Sequence, residues 1–212
     1  MSDLFQDKEI KPMLIADNKE PFDDKDYIFE LKLDGERCIA YLDPRTGTDL
    51  SNKRNMKILR FVPELAELHQ HVKQRCILDG EIFILHDGKP DFSQIQRRSL
   101  MTNTFRIKLD SKEHPATFTA FDILYYGNED VTKKPLSERK KLLAKVVKKE
   151  SSSFAVSRYI EEQGIAFYEI AKAENLEGVV GKRKDSLYYF GKKTKDWVKI
   201  KYLKDDDFVV CG

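Results

Sequence analysis

Lys32-Leu33-Asp34-Gly35-Glu36-Arg37 decides how the chain is read. It closes a stretch, Tyr27 to Leu33, in which Tyr27, Phe29, Leu31 and Leu33 form an apolar face while Glu30 and Lys32 share the opposite one. Period-two alternation marks a strand with one face toward a core. Asp34-Gly35 then reads as a turn into a second strand, Cys38 to Leu42, which predicts a hairpin. A lysine among acidic, glycine and arginine neighbours at a strand end is weak information by itself. Its weight comes from polar motifs that follow on later strands.

Ile77 to Leu85 reads as a strand carrying Asp79-Gly80-Glu81, and Thr117 to Tyr125 as one carrying Phe121-Asp122. Glu177 to Arg183 and Trp197 to Tyr202 are the last long strands. Asp79 and Glu81 share a face, as do Trp197, Lys199 and Lys201, so each strand can bury one face and offer charges from the other. A sheet facing water does the same, and no single strand is diagnostic. Phe61, Leu65, Leu68 and Val72 recur at helical spacing, with Pro63 in the first turn. Ser137 to Lys149 predicts a lysine-rich amphipathic helix turning Leu142, Leu143, Val146 and Val147 inward, and Gly164 to Asn175 a second helix. Strands and helices mix without regular strand-helix-strand units, which gives an α+β fold rather than a doubly wound parallel sheet.

A chain of 212 residues fits one large domain or two small ones. Hydrophobic residues at 41% suffice for a core, and charged residues at 35% require a densely ionic surface. The net charge of +2 does not announce a nucleic-acid partner, but its distribution is uneven. Acidic residues crowd Asp17 to Asp26, and basic ones crowd Lys133 to Lys149 and Lys182 to Lys204, where a basic half can meet phosphate. Cys38, Cys76 and Cys211 are odd in number and form no Cys-x-x-Cys, which points away from disulfides and zinc and toward a reducing, cytoplasmic setting. His69 and His71, two apart, read as surface residues. No apolar run approaches the ~18 residues of a membrane span, and nothing has the form of a signal peptide.

Taken in order, Lys32-x-Asp34-Gly35-x-Arg37, Asp79-Gly80-Glu81, Phe121-Asp122, Glu177-Gly178-Val179-Val180-Gly181-Lys182 and Trp197-x-Lys199-x-Lys201 resemble the covalent nucleotidyltransferases. More closely, they resemble the ATP-dependent DNA ligases of the small bacterial repair type. The resemblance runs from Lys11-Pro12-Met13-Leu14 to Lys201 and includes Phe92 to Arg98 and Asp185-Ser186-Leu187-Tyr188. It implies a nucleotidyltransferase fold of antiparallel sheets flanked by helices around a nucleotide cleft. It also implies an adenylation domain over residues 1–203, and at 204–212 the start of an OB-fold domain, without which sealing is expected to be inefficient.

The same resemblance assigns roles. Lys32 attacks the α-phosphorus of ATP, releases pyrophosphate and keeps AMP. A lysine amine titrates at about 10.4 and is a poor nucleophile when protonated. Neighbouring Arg37, Lys199 and Lys201, with a metal, are expected to favour its neutral form; the plainer alternative is a salt bridge to Asp34 or Glu36. Glu30 is implied at the adenine edge, Arg37 on the ribose or a nick phosphate, Glu81 on the ribose hydroxyl and near Mg²⁺, and Phe121 stacked on the base. Glu177 is implied at Mg²⁺, a hard cation that takes carboxylate and phosphate oxygens. Lys199 and Lys201 are implied on the α-phosphate. Arg54 is the candidate for an arginine usually followed by glycine, but Met56 stands where that glycine is common, so the turn must use another conformation. The implied partner is nicked double-stranded DNA, read without sequence specificity and with steep salt dependence by a monomer. An RNA ligase, a capping-type enzyme and a non-catalytic nucleotide- or DNA-binding module are the alternatives.

Overall fold

The computed structural model describes residues 3–202. A short helix α1 (Leu4–Asp7) precedes strands β1 (Leu14–Asn18) and β2 (Asp24–Leu31). A hairpin of β3 (Glu36–Asp43) and β4 (Gly47–Asn52) leads to β5 (Cys76–His86), β6 (Lys89–Asp91), and helices α2 (Phe92–Ser99) and α3 (Thr104–Glu113). Then follow β7 (Ala116–Tyr126), β8 (Glu129–Asp130), α4 (Leu136–Val146), β9 (Phe154–Val156), β10 (Tyr159–Glu162), α5 (Gly164–Ala173), β11 (Gly178–Arg183) and β12 (Lys193–Lys201). The expected boundary at 203–204 and the strand read at 208–212 lie outside the described residues.

These strands make two sheets. One has the order β1-β12-β11-β2-β10; the other runs β4-β3-β5-β7-β8, with β6 on β5 and β9 on β7. Pairing is antiparallel except for β1 with β12 and β7 with β9. The α+β expectation and the largely antiparallel sheets therefore hold.

The predicted hairpin across Asp34-Gly35 does not form. β2 pairs with β10 and β11, and β3 with β4 and β5, so residues 32–35 cross from one sheet to the other. Alternation locates a strand's faces but not its partners, and an Asp-Gly step serves a crossing as well as a turn. Gly35 is required by proximity: a Cβ there would lie 2.4 Å from the Ile82 carbonyl oxygen. The helix expected over Phe61 to Val72 is instead three 3-10 turns, Leu59–Phe61, Pro63–Leu65 and Leu68–His71. Pro63 lacks an N–H for a continuous helix and starts the second turn. Leu65, Leu68 and Val72 are nonetheless buried. His71 is also buried rather than on the surface, stacked on Phe154 with ring centroids 5.4 Å apart.

Three apolar clusters hold the layers. Phe29, Val179 and Ile200 of the first sheet pack with Ala171 of α5, on the face opposite Glu30 and Lys32. Leu78, Phe118 and Ile123 of the second sheet pack with Leu143 and Val146 of α4. Between the sheets, Ile28 and Trp197 meet Tyr41, Ile77 and Phe121. Helix α4 turns Leu143 and Val146 inward as predicted, but it also buries Arg139 and Lys140. Arg139 lies in a bidentate pair with Asp122 (2.9 and 2.8 Å), both side chains fully buried, and donates to the Ser186 carbonyl at 2.8 Å.

Gly80 of β5 pairs with Ala120 of β7 next to a register shift. A Cβ at that position would stand 2.5 Å from both the Phe118 ring and the Thr119 carbonyl oxygen. Gly80→Ala is expected to lower the unfolding free energy by about 1–3 kcal/mol, the usual cost of overpacking. Urea unfolding measures this, and an unchanged midpoint at unchanged slope would refute the close-approach account.

Candidate active site

The cleft face of the first sheet is built from three rows of strand pairing. Ile28 lies beside Lys182, which faces Trp197; Glu30 lies beside Val180, which faces Lys199. In the third row the Lys32 N–H donates to the Gly178 carbonyl, and Gly178 faces Lys201. Period-two geometry thus turns Glu30, Lys32, Lys182, Trp197, Lys199 and Lys201 to one side while Phe29, Leu31, Val179 and Ile200 turn to the core. The opposite wall comes from the second sheet: Arg37 on β3, Glu81 directly across from it on β5, and Phe121 on β7. Between them lies a pocket of about 380 Å³, lined among others by Glu30, Lys32, Arg37, Glu81, Phe121 and Lys182.

Lys32 Nζ donates to Glu177 Oε2 at 2.8 Å, and Lys201 Nζ pairs with the other oxygen at 2.7 Å. Its partner is therefore neither Asp34 nor Glu36. The carboxylate that holds the amine is also the nearest proton acceptor. All three groups keep contact with solvent, at 21%, 22% and 34% side-chain exposure. Lys199, on the same strand face, is half-buried and does not line the pocket.

Arg37 is committed to the protein. Its Nε and one terminal nitrogen donate to Asp79 at 2.6 Å each, and its guanidinium lies 4.5 Å from the Phe121 ring centroid. Tyr188 donates to the same Asp79 at 2.6 Å and accepts from the Met13 N–H. Burial works to lower the Arg37 pKa, but Asp79 outweighs it and keeps the guanidinium charged. The position of its guanidinium is thus set by Asp79.

Glu30 lies at the back of the pocket, buried, with Lys140 of α4 against Oε1 and Lys182 Nζ 3.1 Å from Oε2. Burial raises its pKa, but the two ammonium groups outweigh burial and hold it below the usual carboxylate range. Lys182 also lies 4.2 Å from the ring centroids of Phe121 and Trp197. Burial brings its amine down to about 8, against the opposing pull of Glu30. Glu81 is pushed up to about 7, chiefly by burial, with Arg37 and Lys32 working the other way.

Four of the predicted residues do not line this pocket: Glu177 and Lys201, joined to it through Lys32, and Lys199 and Arg54. Arg54, exposed, lines an adjoining groove of about 1310 Å³ with Lys53, Lys57 and Arg60; Arg37 and Glu81 line both cavities. The turn around it is explained. Asn55 adopts φ 60°, the left-handed conformation a glycine would supply, and Asn52 Oδ1 accepts from the N–H groups of Arg54 and Met56. Among the described residues no group of three or more His, Cys, Asp or Glu could hold a metal. Glu81 and Glu177, both close enough to Lys32 to interact with it, suit a Mg²⁺ that takes most of its oxygens from phosphate and water. Lys182 and Tyr188 fall within the motifs read from sequence but were given no role there. The alternation of Gly178, Val180 and Lys182 is the signal that puts Lys182 in the cleft.

Two largely antiparallel sheets with a cleft at their joint form the fold of ATP-dependent DNA ligase adenylation domains. The mycobacterial DNA ligase D complexed with ATP and MES has the same fold, with a TM-score of 0.78 and 26% identity over 93% of this chain and 62% of that one. Residues 12–201 match the ATP dependent DNA ligase domain, and the chain belongs to that family. It is 31% identical over 205 residues to the SPbeta prophage-derived DNA ligase-like protein LigB of Bacillus subtilis, covering 96% of this chain and 71% of LigB. It is 31% identical over 197 residues to DNA ligase C of Mycobacterium tuberculosis, covering 88% of this chain and about half (53%) of that protein.

The ion pairs at the site divide by burial. Arg37→Met strands Asp79, which is fully buried, and is expected to cost about 3–5 kcal/mol; Glu177→Gln, in a solvated cluster, is expected to cost less than ~1 kcal/mol. Chemical denaturation of the two variants checks the split, and equal losses would contradict it.

Proposed function

We propose that this chain carries the nucleotidyl-transfer chemistry of an ATP-dependent DNA ligase: Lys32 becomes adenylated, AMP passes to a DNA 5′-phosphate, and a 3′-hydroxyl closes the nick. The observation that carries the proposal is the Lys32 amine at the joint of the two sheets, 2.8 Å from Glu177 and on the rim of the pocket walled by Phe121, Arg37 and Glu81. In the first step Glu177 takes the proton from Lys32, a distance within general-base reach. The neutral amine attacks the α-phosphorus, an N–P bond forms, the bond to the bridging oxygen breaks, and pyrophosphate leaves. Lys201 and Lys199 stabilise the charge on the α-phosphate during in-line attack. Phe121 stacks on the base, Glu30 accepts from its edge, and Glu81 orients the ribose. Glu81 and Glu177 hold Mg²⁺, which when bound supplies positive charge to the triphosphate.

The groove of Lys53, Arg54, Lys57 and Arg60 receives DNA phosphates, and its junction with the nucleotide pocket at Arg37 and Glu81 lets a 5′-phosphate approach the adenylate. Sealing is assigned to the chain acting with an OB-fold domain. The reading extends to a monomeric repair enzyme of the cytoplasm. In its support, a relative 28% identical over 200 residues is named as the bifunctional non-homologous end joining protein LigD of Bacillus subtilis. No helix among the described residues is long and apolar enough to cross a membrane.

Incubation with ATP and Mg²⁺, followed by intact-mass spectrometry, is expected to add one adenylyl group. Lys32→Ala is expected to add none, and GTP to react far more slowly than ATP. Glu177→Gln is expected to slow the addition by roughly a hundredfold or more, the scale of a lost general base. An adduct that persists in Lys32→Ala would reject the nucleophile assignment.

A further inference from the structure

Glu30 is held from two sides, and the two cations that hold it are not equivalent. Lys182 belongs to the pocket: it lines the cavity and leans on the rings of Phe121 and Trp197. Lys140 does not. It comes from helix α4, does not line the pocket, and its side chain is 5% exposed against 3% for Glu30. Among the described residues Glu30 is the one anion paired with its ammonium, and the Tyr159 ring lies 5.4 Å away. Tyr159 is itself the strand partner of Glu30 in the β2–β10 pairing. The lysine is therefore enclosed by Glu30 and by the residue beside Glu30. A buried cation with this single use is costly to keep for stability alone.

The neighbouring residue explains how Lys140 reaches so far. Arg139, one position earlier, is locked to Asp122 of the second sheet and to the Ser186 carbonyl in the β11–β12 connection. That lock fixes the helix, so Lys140 is delivered to Glu30, on the first sheet, at a set position. When a base enters the pocket it must share space with Lys182, which lies over the same ring. Lys140 remains behind Glu30 and is out of the base's path.

We propose that Lys140 is a positioning residue for nucleotide choice: it anchors Oε1 of Glu30 from behind, so that Oε2, which Lys182 also meets, is the oxygen left to accept from a base. This rests on the reading of Glu30 as the group that meets the base edge. Adenine offers an amino donor where guanine offers a carbonyl acceptor, so a fixed carboxylate oxygen admits the first and repels the second. A carboxylate free to rotate, or neutral, loses that contrast.

The test is single-turnover adenylation of Lys32 in the full chain, run with ATP and with GTP across a concentration series. Lys140→Gln is expected to raise the half-saturating ATP concentration by about tenfold, with a smaller change in maximal rate. The ratio of ATP to GTP efficiency is expected to fall by a similar factor, and Lys140→Arg to recover most of both. Thermal melting identifies any variant that fails to fold; the arginine variant, which keeps the charge, still answers the question if the glutamine one is lost. Glu30→Gln separates the two levels of the argument. If it loses ATP preference while Lys140→Gln keeps the wild-type ratio and half-saturation, the positioning role is wrong and the reading of Glu30 stands. If Glu30→Gln itself keeps full ATP preference, the underlying reading of Glu30 is wrong and the role of Lys140 falls with it.

Discussion

The structure depends on charges that have been removed from water at the line where the two sheets meet. Arg37 with Asp79, Arg139 with Asp122, and Glu30 with Lys140 and Lys182 are buried or nearly so, and each links elements distant in sequence. Desolvating such groups costs several kcal/mol per ion, and apolar replacements of similar volume are often no less stable. Their use here is therefore geometric. An apolar contact between sheets tolerates sliding and rotation, whereas a bidentate guanidinium–carboxylate pair fixes both distance and plane. Two of the pairs, at Arg37 and Arg139, are of that kind and bracket the cleft.

Around this frame the aromatic residues do two jobs. Trp197 and Tyr188 pack edge to face and join the hairpin of β11 and β12 to the second sheet. Their polar handles are used as well: Trp197 Nε1 donates to Ser186 Oγ, and the Tyr188 hydroxyl reaches Asp79. Phe121 and Trp197 both line the pocket, and Arg37 and Lys182 already lie beside the Phe121 ring. The face of an aromatic ring attracts cations by its quadrupole and a base by stacking. A wall of this type holds its charged neighbours in order and can exchange one of those contacts for a nucleobase.

Much of this was legible in the chain. Alternation in Tyr27 to Leu33 gave the two faces of β2 correctly, and the ordered motifs gave the family. The errors share one physical origin, which is that local pattern carries no partner. The Asp34-Gly35 step was compatible with a hairpin, yet the chain crosses between sheets there because Gly35 fits under the Ile82 carbonyl. Phe61 to Val72 had helical spacing, but spacing cannot report that Pro63 divides the segment into 3-10 turns. The basic run of α4 read as part of a basic half that can meet phosphate, and nothing local distinguished Arg139 and Lys140 from exposed neighbours such as Lys141. Their carboxylate partners are 17 and 110 residues away in sequence. Lys182 was within reach of the pattern, since it lies at even spacing from Gly178.

The two kinds of ion pair at the site call for different chemistry. The Lys32–Glu177–Lys201 cluster is solvated enough to rearrange, with one carboxylate shared by two ammonium groups. A nucleophile needs this: the amine must lose a proton and then its partner as it moves to phosphorus, and a deeply buried pair would resist both changes. In the proposed reaction the groups that choose and orient the nucleotide have the opposite requirement, because a reader that moves cannot discriminate. Glu30, Arg37 and Asp79 are the ones with buried, multiple partners. On that proposal, mobile charge at the rim and fixed charge at the back would let one cleft hold a base while the lysine beside it changes its bonding.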